Sequence, residues 1–224
     1  MKHPTDHLKK LRNSVRQART ILQRVPKHES QTTLDHLKVQ SFVLLVHSAL
    51  EEYLETLGYE CAIAARKTVK ENSQITPSLL GLVTAKLIRD LPEKSKKKLA
   101  SDVVANLDTF SIEAMSEYHQ VVSDNNGIKA DDQKKLMLPI GVDPETVDLE
   151  TMNNLDAFGL TRGKIAHNFT AIRIDLTRND IENKVDLILK GITQFDKAAC
   201  NALRTLKLDH TFSEQTAIVA PDAA

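Results

Sequence analysis

An arginine and a histidine stand five positions apart in the run Arg162-Gly163-Lys164-Ile165-Ala166-His167-Asn168. Histidine is the side chain whose ordinary pKa lies nearest neutrality, so it takes or gives a proton at working pH. Arginine is a permanent cation whose planar fork of donors fits a phosphate. A proton-transfer group beside a phosphate clamp is the equipment that cleavage of an RNA phosphodiester requires. Lys164 and Asn168 flank the pair as candidate substrate-binding residues. Earlier in the chain, His47 and Glu51 form an i,i+4 pair. That pair is suited to line the cleft and orient Arg162, with Glu51 as the carboxylate partner; the plainer reading is a structural pair inside a helical bundle.

These residues need a helix to carry them. At about 100° per residue, Phe158, Arg162, Ile165, Ala166 and Phe169 all fall within about 80° of Leu155. Arg162 therefore occupies a stripe that would otherwise be apolar. A buried guanidinium without a partner is costly, so the position demands a carboxylate, a set of carbonyls or an open cleft. His167 falls about 140° round from Arg162, on a flank shared with Leu160 and Gly163. Two such helices meeting across a two-fold axis would bring two arginines and two histidines into one cleft.

The rest of the chain reads as helix. Leu8, Leu11, Val15, Ala18, Ile21, Leu22 and Val25 recur at steps of three and four, and Pro26 ends that stripe. A long second helix starts near Thr33, runs through Phe42, Val46, Leu50 and Leu54, and can be followed past Gly58 to about Lys70. Thr76-Pro77 is a cap followed by proline at the first helical position, opening a third helix that stops before Pro92. The basic cluster Glu93-Lys94-Ser95-Lys96-Lys97-Lys98 opens a fourth, through Leu99, Val103, Leu107, Phe110, Met115 and on toward Val121. Asp124-Asn125-Asn126-Gly127 signals a turn, and Ile128–Leu138 a short helix. Pro139, Gly141 and Pro144 punctuate a connector, after which Asp148 or Thr151 caps the motif helix. A last helix starts at Thr177, with Asp180 completing a partial capping box. These readings predict one helical domain over residues 1–208 and a loose tail over 209–224.

Composition sets limits on function. Only seven glycines and seven prolines in 224 residues leave too few turn-formers for a hairpin-rich β fold. The formal net charge is zero, so contact with nucleic acid has to come from a local patch. Cys61 and Cys200 are far apart, with neither a disulfide framework nor a metal spacing, and read as reduced thiols. His28, His36 and His119 have no ligand partner at useful spacing, so no metal and no cofactor are expected. The N-terminus shows no apolar signal stretch, and the longest apolar run, Phe42 to Val46, is too short to span a bilayer. The expectation is a soluble, cytoplasmic protein without membrane contact.

The form Arg-Gly-Lys-Ile-Ala-His resembles the Arg-x4–6-His motif of HEPN domains. Asn125-Asn126-Gly127-Ile128-Lys129, Leu138-Pro139-Ile140-Gly141-Val142-Asp143-Pro144 and Leu155-Asp156 look like the run-up to that motif in RiboL-PSP-type HEPN proteins. Phe42 to Leu54, with Glu51-Glu52 after its apolar run, resembles their early core helix. The likeness spans roughly residues 30 to 205. It implies an all-α, HEPN-like helical bundle with up-and-down core helices and a short irregular connector before the motif helix. It further implies a homodimer whose active members cleave RNA without a metal, with Arg162 and His167 as the catalytic pair. Roles in toxin–antitoxin or anti-phage systems, with a cognate antitoxin or defence partner, follow from the same likeness. The position after the arginine is often Asn or another polar residue in such proteins, and here it is Gly163. Two alternatives stay open on the residues: a catalytically silent HEPN dimer serving as scaffold, regulatory or neutralising subunit, and a helical bundle that holds a phosphate or nucleotide without cleaving it.

Overall fold

The computed structural model describes residues 1–28, 32–91, 94–167 and 176–206. Eight α-helices and two 3-10 turns make up the regular structure of these residues, with no strand among them. The helices are α1 (Asp6–Ala18), α2 (Thr33–Asn72), α3 (Pro77–Asp90), α4 (Lys96–Ala105), α5 (Leu107–Ser123), α6 (Ala130–Met137), α7 (Pro144–His167) and α8 (Arg178–Ala202). The architecture is the all-α bundle that the apolar periodicity predicts.

The long helix α2 is the axis of the molecule. A reciprocal capping box between Thr32 and Asp35 starts it, and Ser73 in the left-handed region ends it. Along its length it buries Phe42, Val43, Val46, Leu50, Leu54, Leu57 and Cys61. Apolar side chains removed from water contribute about 1.5–3 kcal/mol each, which is what holds the other helices around this axis. Helices α1, α5, α7 and α8 all pack on it, and α7 packs most extensively on α8.

The elements around the motif helix are fixed by close backbone approaches. The 3-10 turn Leu138–Ile140 lies against α3, where a Cβ at Gly81 would stand 2.7 Å from both the Gly141 nitrogen and the Pro139 carbonyl oxygen. Gly141 has φ of 76°, a left-handed conformation that glycine adopts freely. Helix α7 breaks at Asp148 (φ −166°, ψ 90°), whose carboxylate accepts from the Thr151 amide at 3.0 Å and its hydroxyl at 2.9 Å. Asp148 is thus the cap of the segment that carries the motif.

Two expectations need correction. The fourth helix is two helices: Asn106 (φ −155°, ψ 74°) leaves the helical region, and its side chain caps α5 through the Thr109 amide at 3.1 Å. The first helix ends at Ala18, and its stripe is continued by a 3-10 turn, Arg19–Leu22. Of the basic cluster before and at the start of α4, Lys94 is tied to Asp90 at 2.8 Å, and Ser95 caps the helix.

Candidate active site

The motif lies on the last turns of α7. Leu155, Phe158 and Ile165 face the core, as their spacing requires. Arg162 is half-buried, at the edge of that stripe. Ala166, expected on the buried stripe, is exposed; the helix has reached its end there and leaves the core. Phe169 and Asn168 lie outside the described residues. Lys164 and His167 are exposed, and His167 is the final residue of α7. A Cβ at Gly163 would meet nothing within 4 Å, so the position beside Arg162 is open.

Arg162 turns toward α2, where His47 and Glu51 sit one helical turn apart. His47 is 3% exposed and Glu51 is mostly covered. The His47 Nδ1 atom stands 3.8 Å from Glu51 Oε2, beyond hydrogen-bond range. Burial, and then the nearby Arg162 guanidinium, push the His47 imidazole down to about 4. It is neutral at working pH. Burial and the adjacent Glu55 carboxylate hold Glu51 above its ordinary range, against the pull of Arg162. The Glu51 Oε1 atom is buried and accepts no hydrogen bond. Among the described residues Arg162 forms no ion pair. Its charge acts on Glu51 and His47 without an ion pair to either.

Three further elements close the polar cluster. The Asn125 side-chain amide donates to Glu55 Oε1 at 2.7 Å and to the Gly127 carbonyl at 3.1 Å. The Lys129 amide donates to Asp132 at 3.1 Å, and the Ala130 amide to Asp156 of α7 at 3.0 Å. The loop between α5 and α6 is therefore held at both ends, against α2 by Glu55 and against α7 by Asp156. Sequence reasoning passed over Glu55, Asp132 and Asp156 as site-lining residues. Glu55 had a usable signal, since it repeats the four-residue step of His47 and Glu51 on one face of α2. Asp132 had none, because only tertiary packing sets it beside the motif; Asp156 lies on the motif helix, in the Leu155-Asp156 run-up, but its bond to the α5–α6 loop is set by packing.

The cluster contains neutral imidazole, carboxylates and one half-buried guanidinium. Among the described residues no group of three or more His, Cys, Asp or Glu side chains is arranged to hold a metal ion. No helix among them is long and apolar enough to cross a membrane. The Cys61 thiol, buried near Cys200, is pushed up to about 12, which keeps it out of thiolate chemistry at neutral pH.

The described residues form an all-helical bundle in which the Arg162–His167 run ends a helix packed on the long central helix. A family model, RiboL-PSP-HEPN, matches residues 7–201, and the chain belongs to that family. No curated protein and no solved structure matches it.

Proposed function

We propose that the protein is an endoribonuclease that cleaves RNA by attack of a ribose 2′-hydroxyl on the adjacent phosphorus, in a composite site between two copies of the chain. The observation that carries this reading is Arg162: a half-buried guanidinium, without an ion pair among the described residues, near neutral His47 and on the helix that ends at His167. Arg162 binds the non-bridging oxygens and stabilises the charge that builds on them in the transition state. His167 draws the proton from the 2′-hydroxyl, and His167 of the second copy protonates the leaving 5′-oxygen. The products are a 2′,3′-cyclic phosphate and a 5′-hydroxyl. Lys164 and Asn168 contact substrate beside the pair.

The arrangement within one copy supports the need for a second. Arg162 faces α2, whereas His167 is exposed at the helix end, about 140° round the axis. Leu37, Leu44 and Leu160 are 38%, 39% and 48% exposed, on the same two helices as the site. Exposed leucines of this kind favour burial against another apolar face. Glu51 and His47 act as support, holding the guanidinium toward the cleft. A toxin or anti-phage role belongs to the same proposal. The open position at Gly163 favours one alternative, a silent HEPN dimer that lacks a polar contact at the scissile group.

The test is induction of the wild type, Arg162→Ala and His167→Ala in cells, with total RNA resolved on a denaturing gel. Growth arrest and RNA fragments are expected for the wild type alone. Intact RNA and normal growth for a folded, dimeric wild type would favour the silent reading.

A further inference from the structure

The α5–α6 loop brings a lysine to the motif helix. A Cβ at Gly159 of α7 would stand 3.1 Å from Lys129 Cγ and 3.7 Å from the Lys129 nitrogen. The stem of Lys129 thus lies directly on α7, one turn before Arg162 and Gly163, which the helix presents within about 60° of Gly159. The absence of a side chain at Gly159 is what lets the loop come so close. On the other side of the loop, a Cβ at Gly127 would collide with Asp132. The loop is anchored at Asn125, Lys129 and Ala130 by the hydrogen bonds to Glu55, Asp132 and Asp156. Its geometry is fixed before any ligand arrives.

Charge distribution gives the lysine a purpose. The chain has no net charge, and many of its surface cations are spent on carboxylates: Lys10 on Glu52, Lys94 on Asp90, Lys134 on Glu145. Lys129 is exposed and forms no ion pair among the described residues. Asp132 and Asp156, the carboxylates bonded to this loop, accept from its backbone amides. Lys129 is therefore an exposed cation, without an ion pair among the described residues, whose stem is held against the helix that carries Arg162.

We propose that Lys129 is a substrate-binding residue that holds an RNA phosphate flanking the one gripped by Arg162. The inference rests on the ribonuclease reading above. Arg162 addresses the reacting phosphate; Lys129 fixes the strand next to it. A flanking contact made equally in the ground and transition states lowers KM and leaves kcat unchanged.

The test uses a single-stranded RNA oligonucleotide of mixed sequence and two measurements. Cleavage kinetics compare wild type with Lys129→Ala and Lys129→Arg. Binding compares His167→Ala with the double variants His167→Ala/Lys129→Ala and His167→Ala/Lys129→Arg over a series of salt concentrations. Lys129→Ala is expected to raise KM about tenfold with kcat unchanged. It is also expected to reduce the slope of log K against log salt by about 0.7. Lys129→Arg is expected to restore both. A wild type that cleaves RNA, with an unaltered KM and salt slope in Lys129→Ala, would overturn the role of Lys129 and leave the ribonuclease reading standing. A wild type without cleavage would remove that reading, and unchanged RNA binding in His167→Ala/Lys129→Ala would then overturn the Lys129 contact as well.

Discussion

Two carboxylates of this chain, one buried and one partly buried, are treated in opposite ways, and the contrast shows what each is for. Asp196 of α8 is fully buried and satisfied: it accepts from the Thr5 amide at 3.0 Å, the Thr5 hydroxyl at 2.5 Å and the Tyr53 hydroxyl at 3.1 Å, and pairs with His3 Nδ1 at 2.7 Å. It ties the N-terminal segment to α2 and α8. Glu51 has a buried oxygen that accepts nothing. An unsatisfied buried acceptor costs about 1–3 kcal/mol, so Glu51 is a poor investment in stability. Glu51→Gln is expected to melt no lower than wild type at neutral pH, while RNA cleavage falls because Arg162 loses the charge that orients it. A large drop in melting temperature would instead make Glu51 structural. His47 gives a second prediction. Its folded pKa of about 4 lies below the ordinary 6.5, so the unfolded chain binds the proton first as pH falls. Stability conferred by neutral His47 is present above about 6.5 and drains away as pH drops toward 4, by about 3 kcal/mol in all. Denaturant melts across that window are expected to show a steep fall in wild type and a flatter one in His47→Gln. Since Arg162 is one cause of the depressed value, Arg162→Ala is expected to move the His47 titration upward when followed by NMR.

At the scale of elements, the motif helix carries an ordinary cost with an evident use. Glycine inside a helix is worth about 1 kcal/mol less than alanine. Gly163 sits in α7 with open space on its Cβ side. Gly163→Ala is therefore expected to stabilise the protein by about 0.5–1 kcal/mol, read by denaturant unfolding, and Gly163→Asn to fold normally. Gain of cleavage rate in Gly163→Asn would show that a polar group is missing there; loss of rate would show that the open space admits substrate. Helix boundaries were legible wherever a side chain makes the cap. Thr76-Pro77, Asp148 and Thr177 each start the helix their types announce. The break at Asn106 was not, because Leu99, Val103, Leu107 and Phe110 keep helical spacing across it. An apolar period records which face is buried, and two helices in sequence can share it. The site was legible to the same extent. His47, Glu51 and Arg162 could be paired from spacing and charge, but Asp132 joins them only through the fold of the α5–α6 loop, which Asp156 of α7 holds in place.

At the scale of the whole molecule, zero net charge sets the terms of any encounter with RNA. Non-specific attraction is weak, so binding depends on a few placed cations and on surface shared with a second copy. Cleavage makes one chemical demand that passive RNA binding does not. The nucleophile belongs to the substrate, and two positioned histidines supply base and acid, so cleavage should follow a bell-shaped pH profile. The most direct measurement incubates purified wild type, Arg162→Ala and His167→Ala, each confirmed folded, with an RNA oligonucleotide and its all-2′-deoxy counterpart, and identifies the ends of any fragments. The account predicts fragments from RNA alone, bearing 2′,3′-cyclic phosphate and 5′-hydroxyl ends, made by the wild type and by neither variant. Cleavage of the deoxy strand, 3′-hydroxyl ends, or undiminished activity in His167→Ala would contradict it.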